Sequence, residues 1–294
     1  MIKRSFCLGS EWLYYKIYTG VKTADVILTE KLYPIISLLQ ENKTITKWFF
    51  IRYNDPDDHI RIRFNCDSIE KVEIVIRALY PIFDELIQQD LVWKLQTDTY
   101  QREIERYGTS TIEASESMFH FDSEMIIQYS TIKPYLEDEK TQLLFSFLTI
   151  DSLLNSFSLN VSEKLEMMNN LQESFKNEFE ASKQLRKEFD KNYRELGKDI
   201  ELFLSHERQK EYEEIYSIAL GKKSKIEDIK SIIINNLQIS KYSFLSSHIH
   251  MMLNRQYTSR QRTYECLIYD HLFRYYKKLT YFQEVTSSNI SDKI

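Results

Sequence analysis

The chain has 294 residues with 43% hydrophobic and 14% aromatic content, enough for a substantial core in one large domain or two ordinary ones. Its 39 Lys and Arg against 44 Asp and Glu give a formal charge of −5, so no net field draws nucleic acid and direct binding is not expected. With 5 Gly, 4 Pro and three scattered cysteines, Cys7, Cys66 and Cys266, the composition argues against turn-dense all-β folds, a zinc site and a disulfide framework. The opening MIKRSFCLGSEWLYY is a poor signal peptide, and no apolar run approaches the ~20 residues of a membrane span. A soluble protein of the reducing cytoplasm is expected.

The first predicted element is a strand, WLYYKIYTG at 12 to 20, aromatic and closed by glycine. A helix follows with Thr23 as its cap and apolar residues at helical spacing, ending at ENKTIT. KWFFIRY, 47 to 53, and HIRIRF, 59 to 64, read as two strands joined by NDPDD, a turn that suits an antiparallel hairpin. From Ser68 the chain turns helical, with Pro81 inside the pattern. LVWKLQTDTY, 91 to 100, resembles a further strand, and REIERYG a short helical turn closed by Gly108.

Beyond about residue 112 the periods are helical: SMFHFDSEMIIQYS, QLLFSFLTIDSLLNSF, a long charged stretch from Ser162 to Tyr193, ELFLSHERQKEYEEIYSIALG, IEDIKSIIINNLQ, SFLSSHIHMMLNRQ and TYECLIYDHLFRYYKKL. No linker separates the strand-rich residues 1–110 from the helical 111–285. The expected fold is therefore α+β: one domain over 1–285, a small antiparallel sheet packed with helices, and a frayed polar tail at 286–294.

Period two puts His59, Arg61 and Arg63 on one face of their strand and Ile60, Ile62 and Phe64 on the other. A basic face of this kind reads either as solvated surface or as an anion site, since guanidinium forks bind carboxylates bidentately. In DTYQREIERYG, Arg102 and Arg106 stand at i,i+4 with Glu103 between them, as either a surface turn with internal ion pairs or part of a site. SSHIHMMLNR presents His250 and Asn254 at i,i+4 on an otherwise apolar helix, where a histidine must be satisfied or used. His248 lies about 200° round that helix from His250, so the two do not chelate a metal. No HExxH, GxGxxG, Walker or GxSxG pattern occurs, and neither metal nor nucleotide cofactor is expected.

Taken together and in order, WLYYKIY, WFFIRYNDPDDHIRIRF, DTYQREIERYG and HMMLNR resemble the C-terminal domain of class I lantibiotic dehydratases. That family also occurs as stand-alone thiopeptide-type bacteriocin biosynthesis proteins. The resemblance implies a cofactor-free lyase that eliminates glutamate from glutamylated Ser or Thr of a ribosomally made precursor peptide, leaving dehydroalanine or dehydrobutyrine. It assigns Arg61, Arg63, Arg106 and His250 as catalytic, His250 moving the proton. Glu103 falls in the substrate-binding set, and Arg102 and Asn254 stand beside these as further binding candidates. It also implies partners: a separate tRNA-dependent glutamylating component, the precursor itself and a downstream cyclase. The aromatic excess, 20 Tyr and 17 Phe, fits a homodimer interface as well as a core. The sequence departs from the family pattern at Gly108-Thr109, where the glycine is often doubled, and at SSHI, which adds His248. Two other readings are a pyridine synthase performing a formal cycloaddition on dehydroamino acids and a non-catalytic precursor-binding subunit.

Overall fold

In chain order the computed structural model, which describes residues 2–136, 140–178 and 183–291, comprises β1 (Ser5–Phe6), β2 (Trp12–Tyr18), α1 (Val21–Val26), a π-helical turn (Ile27–Leu32), α2 (Tyr33–Glu41), β3 (Lys47–Tyr53), β4 (His59–Asn65), α3 (Ile69–Gln88), β5 (Lys94–Thr97), β6 (Tyr100–Gln101), α4 (Ile104–Tyr107) and α5 (Ile112–Ile132). A short 3-10 turn, Lys133–Tyr135, then leads to α6 (Lys140–Ser156), α7 (Val161–Glu178), α8 (Lys183–Leu204), α9 (Glu213–Asn236), α10 (Lys241–Gln256) and α11 (Gln261–Ser291). The fold is α+β, dominated by helix. Among the described residues no helix is long and apolar enough to cross a membrane.

The chain forms two compact units. The first comprises Met1–Tyr135 with Ser231–Ser259, the second Leu136–Lys230 with Arg260–Ile294. This division does not follow the change from strands to helices near residue 110, because α10 returns to the sheet-bearing unit.

In the first unit, β3, β4, β2 and β5 lie in that order in an all-antiparallel sheet, and β1 pairs with β6 beside it. Apolar residues of one sheet face, such as Tyr15, meet α3 at Phe83. Helix α3 starts where expected: Ser68 is extended and its hydroxyl accepts the Lys71 N–H at 3.4 Å. Pro81 is accommodated inside it. The opposite sheet face is closed by α5 and α10, which also cap the outer edge of β3. His120 bonds the Trp48 carbonyl at 3.1 Å, and Ser123 accepts the Phe50 N–H at 3.2 Å. Asn254 both accepts from Arg52 N–H and donates to its carbonyl at 3.0 Å, as a neighbouring strand would.

Three expectations are corrected. The first helix begins at Val21 behind Gly20, not at a Thr23 cap, and it carries the π turn just before Pro34, whose missing N–H interrupts the regular ladder. The charged stretch from Ser162 to Tyr193 is helical on both sides of residues 179–182, as expected, in Val161–Glu178 and from Lys183 onward; residues 179–182 lie outside the described part. The pattern from Glu201 to Gly221 breaks after Leu204, where His206 takes φ +64°, and α9 then runs through Gly221 and joins the two helices expected there. Helix α11 continues to Ser291, into the stretch expected as a frayed tail, while residues 292–294 lie outside the described part.

Among the described residues the second unit contains helices and no strands. Its interior carries satisfied polar groups: Lys164 bonds Asp151 at 2.7 Å and Asn155 at 2.6 Å, and Tyr276 donates to Asp151 at 2.7 Å. Asp270 receives Lys176 at 2.8 Å and Arg274 at 2.6 Å. Next to it the fully buried His271 ring sits among Phe147, Phe189 and Tyr193.

Candidate functional site

The antiparallel register sets Arg63 of β4 between Tyr14 of β2 and Phe49 of β3 on one face of the sheet. Its guanidinium carbon lies 4.2 Å from the Tyr14 ring centre, 5.2 Å from Phe49 and 4.9 Å from Tyr100. The residue is 8% exposed, and its Nε has no hydrogen-bond partner. Among the described residues no carboxylate approaches within ion-pair distance of it. Burial pulls its pKa below the usual arginine value, a sign that the charge is short of compensation. The solvated-surface reading of this face is thereby excluded for Arg63: aromatic rings cover it.

Arg63 lines a cavity of about 40 Å³ together with Glu103, Tyr107, Met251 and Arg255. That is room for a few water molecules or the acidic head of a ligand. Glu103 stands immediately before α4, exposed, and pairs with Arg106 at 3.2 Å. Gly108 ends α4 with φ +80°, and a Cβ there would come within 2.7 Å of the Thr111 hydroxyl oxygen. This sharp exit allows Tyr107 to be buried against Phe119 and His248. Burial raises the pKa of the Tyr107 hydroxyl.

Arg61, two positions along the strand, is partly exposed. Its guanidinium lies 3.4 Å over the Tyr53 ring, and Nε donates to His59 Nε2 at 2.9 Å. His59 Nδ1 is 2.7 Å from the Asp57 carbonyl, which fixes Nδ1 as donor and Nε2 as acceptor in a neutral ring. Burial lowers the His59 pKa, with the Arg61 charge adding to it. The histidine without a sequence-based role thus orients Arg61.

On α10, His250 is half-buried and shares a helix stripe with Asn254, which is clamped to Arg52 of β3. His250 itself is not a wall of the cavity, whereas its neighbour Met251 is. His248 is packed among Tyr107, Phe119 and Phe244, its Nε2 3.3 Å from the Ser115 hydroxyl.

Arg102 is not on one helix face with Arg106, because α4 begins only at Ile104. It is buried and bound bidentately by Glu116 through two 2.7 Å bonds, with Tyr100 also donating to Glu116 at 2.9 Å. Burial alone would pull its pKa down, yet Glu116 holds it above its usual value. It lines a different, open hollow with Lys47 and Glu113. Sequence reasoning missed Arg255, although it ends the HMMLNR stretch. Its signal was only a position four residues after Met251, which places both on one stripe.

Residues 12–276 match the model of the family described as lantibiotic biosynthesis dehydratase C-term. The chain is 28% identical over 188 residues to the subtilin biosynthesis protein SpaB of Bacillus subtilis, covering 60% of this chain and 17% of that protein. It is 27% identical over 240 residues to the nisin biosynthesis protein NisB of Lactococcus lactis subsp. lactis, covering 71% and 22%. It thus spans about a fifth of the length of these relatives. The tRNA-dependent lantibiotic dehydratase MibB from Microbispora superposes with a TM-score of 0.74 at 16% identity, over 93% of this chain and 28% of that one. The pyridine synthase TbtD from thiomuracin biosynthesis gives 0.60 at 10% identity, over 91% of this chain and 99% of that one. At these identities the structural matches establish a common fold.

Proposed function

Because the chain belongs to the lantibiotic biosynthesis dehydratase C-terminal family, we propose that it eliminates glutamate from glutamylated Ser or Thr side chains of a ribosomally made precursor peptide. The observation that carries this reading is the buried guanidinium of Arg63, which has no hydrogen bond through Nε and no carboxylate partner, at a cavity of carboxylate size. A buried charge in that condition is costly to the fold unless a ligand completes it.

In the reaction a base removes the Cα proton, the Cβ–O bond breaks, and glutamate departs as a carboxylate, leaving a carbon–carbon double bond. Electrons and atoms balance without a cofactor. His250 is the proposed base, since a neutral imidazole nitrogen can take up a proton in the transition state. Arg63 binds the departing glutamyl carboxylate, and Arg61, held by His59 and Tyr53, stabilises charge developing beside it. Glu103 holds Arg106 and receives the glutamyl ammonium at the mouth. Arg102 and Asn254 act by positioning: the first anchors the segment entering α4, the second fixes α10 to β3.

A separate glutamylating component would supply the ester, with at least transient contact between the two proteins, and a cyclase could act on the product. The cytoplasm suits this role, and all three cysteines are free thiols. The match to the pyridine synthase over 99% of its length favours one competing reading, cycloaddition on dehydroamino acids.

Incubation with a synthetic peptide bearing glutamyl-Ser separates the possibilities. Loss of glutamic acid by mass, with a new thiol-reactive alkene, is expected. His250→Ala should slow that loss by about 10²–10⁴-fold and leave glutamylated peptide behind. No loss by the wild-type chain, even with a glutamylating partner present, would reject elimination. Undiminished loss by the variant would remove His250 from the mechanism.

A further inference from the structure

Arg255 has a role that neither its helix nor the core explains. It is fully buried at 0% exposure, and it reaches the same cavity as Arg63 from α10. Its Nε donates to the Ser123 hydroxyl at 3.2 Å and its Nη1 to the Met251 carbonyl of its own helix at 2.7 Å. Those bonds orient the guanidinium but bring no charge. The buried Asp122 carboxylate stands 3.8 Å from Nη1, outside hydrogen-bond range, so it offsets the charge without capturing the fork.

The cavity is therefore lined by two buried guanidiniums and one carboxylate, Glu103, which is exposed and pairs with Arg106, while Asp122 stands 3.8 Å from Arg255. The two arginines repel each other: the charge of Arg63 adds to burial in lowering the Arg255 pKa. Sequence patterning favours apolar residues on the buried stripe of a helix, and a core needs no arginine at this place. What two forks beside a small cavity can do is share one carboxylate, each through charge-assisted bonds.

We propose that Arg63 and Arg255 form a two-guanidinium receptor for one carboxylate of the substrate, making Arg255 a binding and specificity-determining residue. The site then rejects esters whose leaving group has a neutral head. The identity of the ligand as a glutamyl carboxylate rests on the elimination reading; the receptor itself can be measured without turnover.

Glutarate, with glutaramide as its neutral counterpart, serves as the probe in calorimetric titration of the full chain. Wild type should bind glutarate and discriminate against glutaramide. Arg255→Lys should weaken glutarate by about 10-fold or more, because a point charge replaces a fork, and Arg255→Met should lose the discrimination. Asp122→Asn supplies the control for a structural role. In the receptor, removing the stand-off anion strengthens glutarate binding; an Arg255 that only packs the core gives no such gain. Absence of glutarate binding by wild type, unchanged affinity in a folded Arg255→Lys, or no gain in Asp122→Asn overturns the receptor. If glutarate binding depends on Arg255 while wild type leaves glutamyl-Ser peptide intact, the receptor stands and the elimination reading falls.

Discussion

Arg63 is costly to the fold and, in the proposed reaction, needed for turnover. Removing a buried guanidinium that lacks an ionic partner deletes a desolvation penalty along with the charge. Arg63→Met should leave the thermal midpoint unchanged or raised, while glutamate loss from the ester falls by at least about 10²-fold. A stability drop of several degrees with activity retained would contradict this. The alternation in HIRIRF was enough to put Arg61 and Arg63 on one face. It did not tell that rings from β2, β3 and β6 cover Arg63, because period two identifies a face and not what lies over it. Arg255 was harder still: a single arginine in an apolar helix reads as surface until the helix is docked.

At the scale of elements, strands β3 and β4 were legible almost to the residue, since aromatic and β-branched runs flank a Pro-Asp turn. Helix ends among residues 160–236 were not. The break after Leu204 falls in Ser-His-Glu-Arg, with neither Gly nor Pro, while Gly221, which looks like a terminator, lies inside α9. That glycine faces open space, with no atom within 4 Å of an added Cβ. Gly221→Ala should therefore stabilise by about 0.5–1 kcal/mol. Gly108→Ala should do the reverse, and by more, since φ +80° and the Thr111 hydroxyl both oppose a side chain. Denaturant midpoints of the two variants against wild type check both signs; a destabilised Gly221→Ala would mean that α9 does not run through this position.

Over the whole molecule, each unit hides a histidine whose pKa burial has lowered below the ordinary 6.5: His59 in the first and His271 in the second. With the folded pKa depressed, the unfolded chain binds more protons below pH 6.5. Stability is thus full above that value and declines as the pH falls toward the folded pKa. Asp270 faces His271 and partly offsets the effect, while the Arg274 charge works with burial. Phe at position 271 would sit among Phe147, Phe189 and Tyr193. His271→Phe should flatten the decline in helical signal between pH 7 and 5. Trp12, Trp48 and Trp93 all belong to the first unit, so their fluorescence should keep its wild-type pH slope. Equal flattening of both signals would show that the units do not titrate separately.

The return of α10 to the sheet also sets an order of events during translation. Once residue 135 has left the ribosome, every strand among the described residues has been delivered, but Asn254, which caps the outer edge of β3, and Arg255, which completes the cavity wall, are still to be made. At roughly 5–20 residues per second this leaves an uncapped strand edge for several seconds or more. A nascent chain of this protein is consequently most open to strand-by-strand association before residue 256 emerges, and a holdase acting in that interval would raise its yield more than one supplied afterwards.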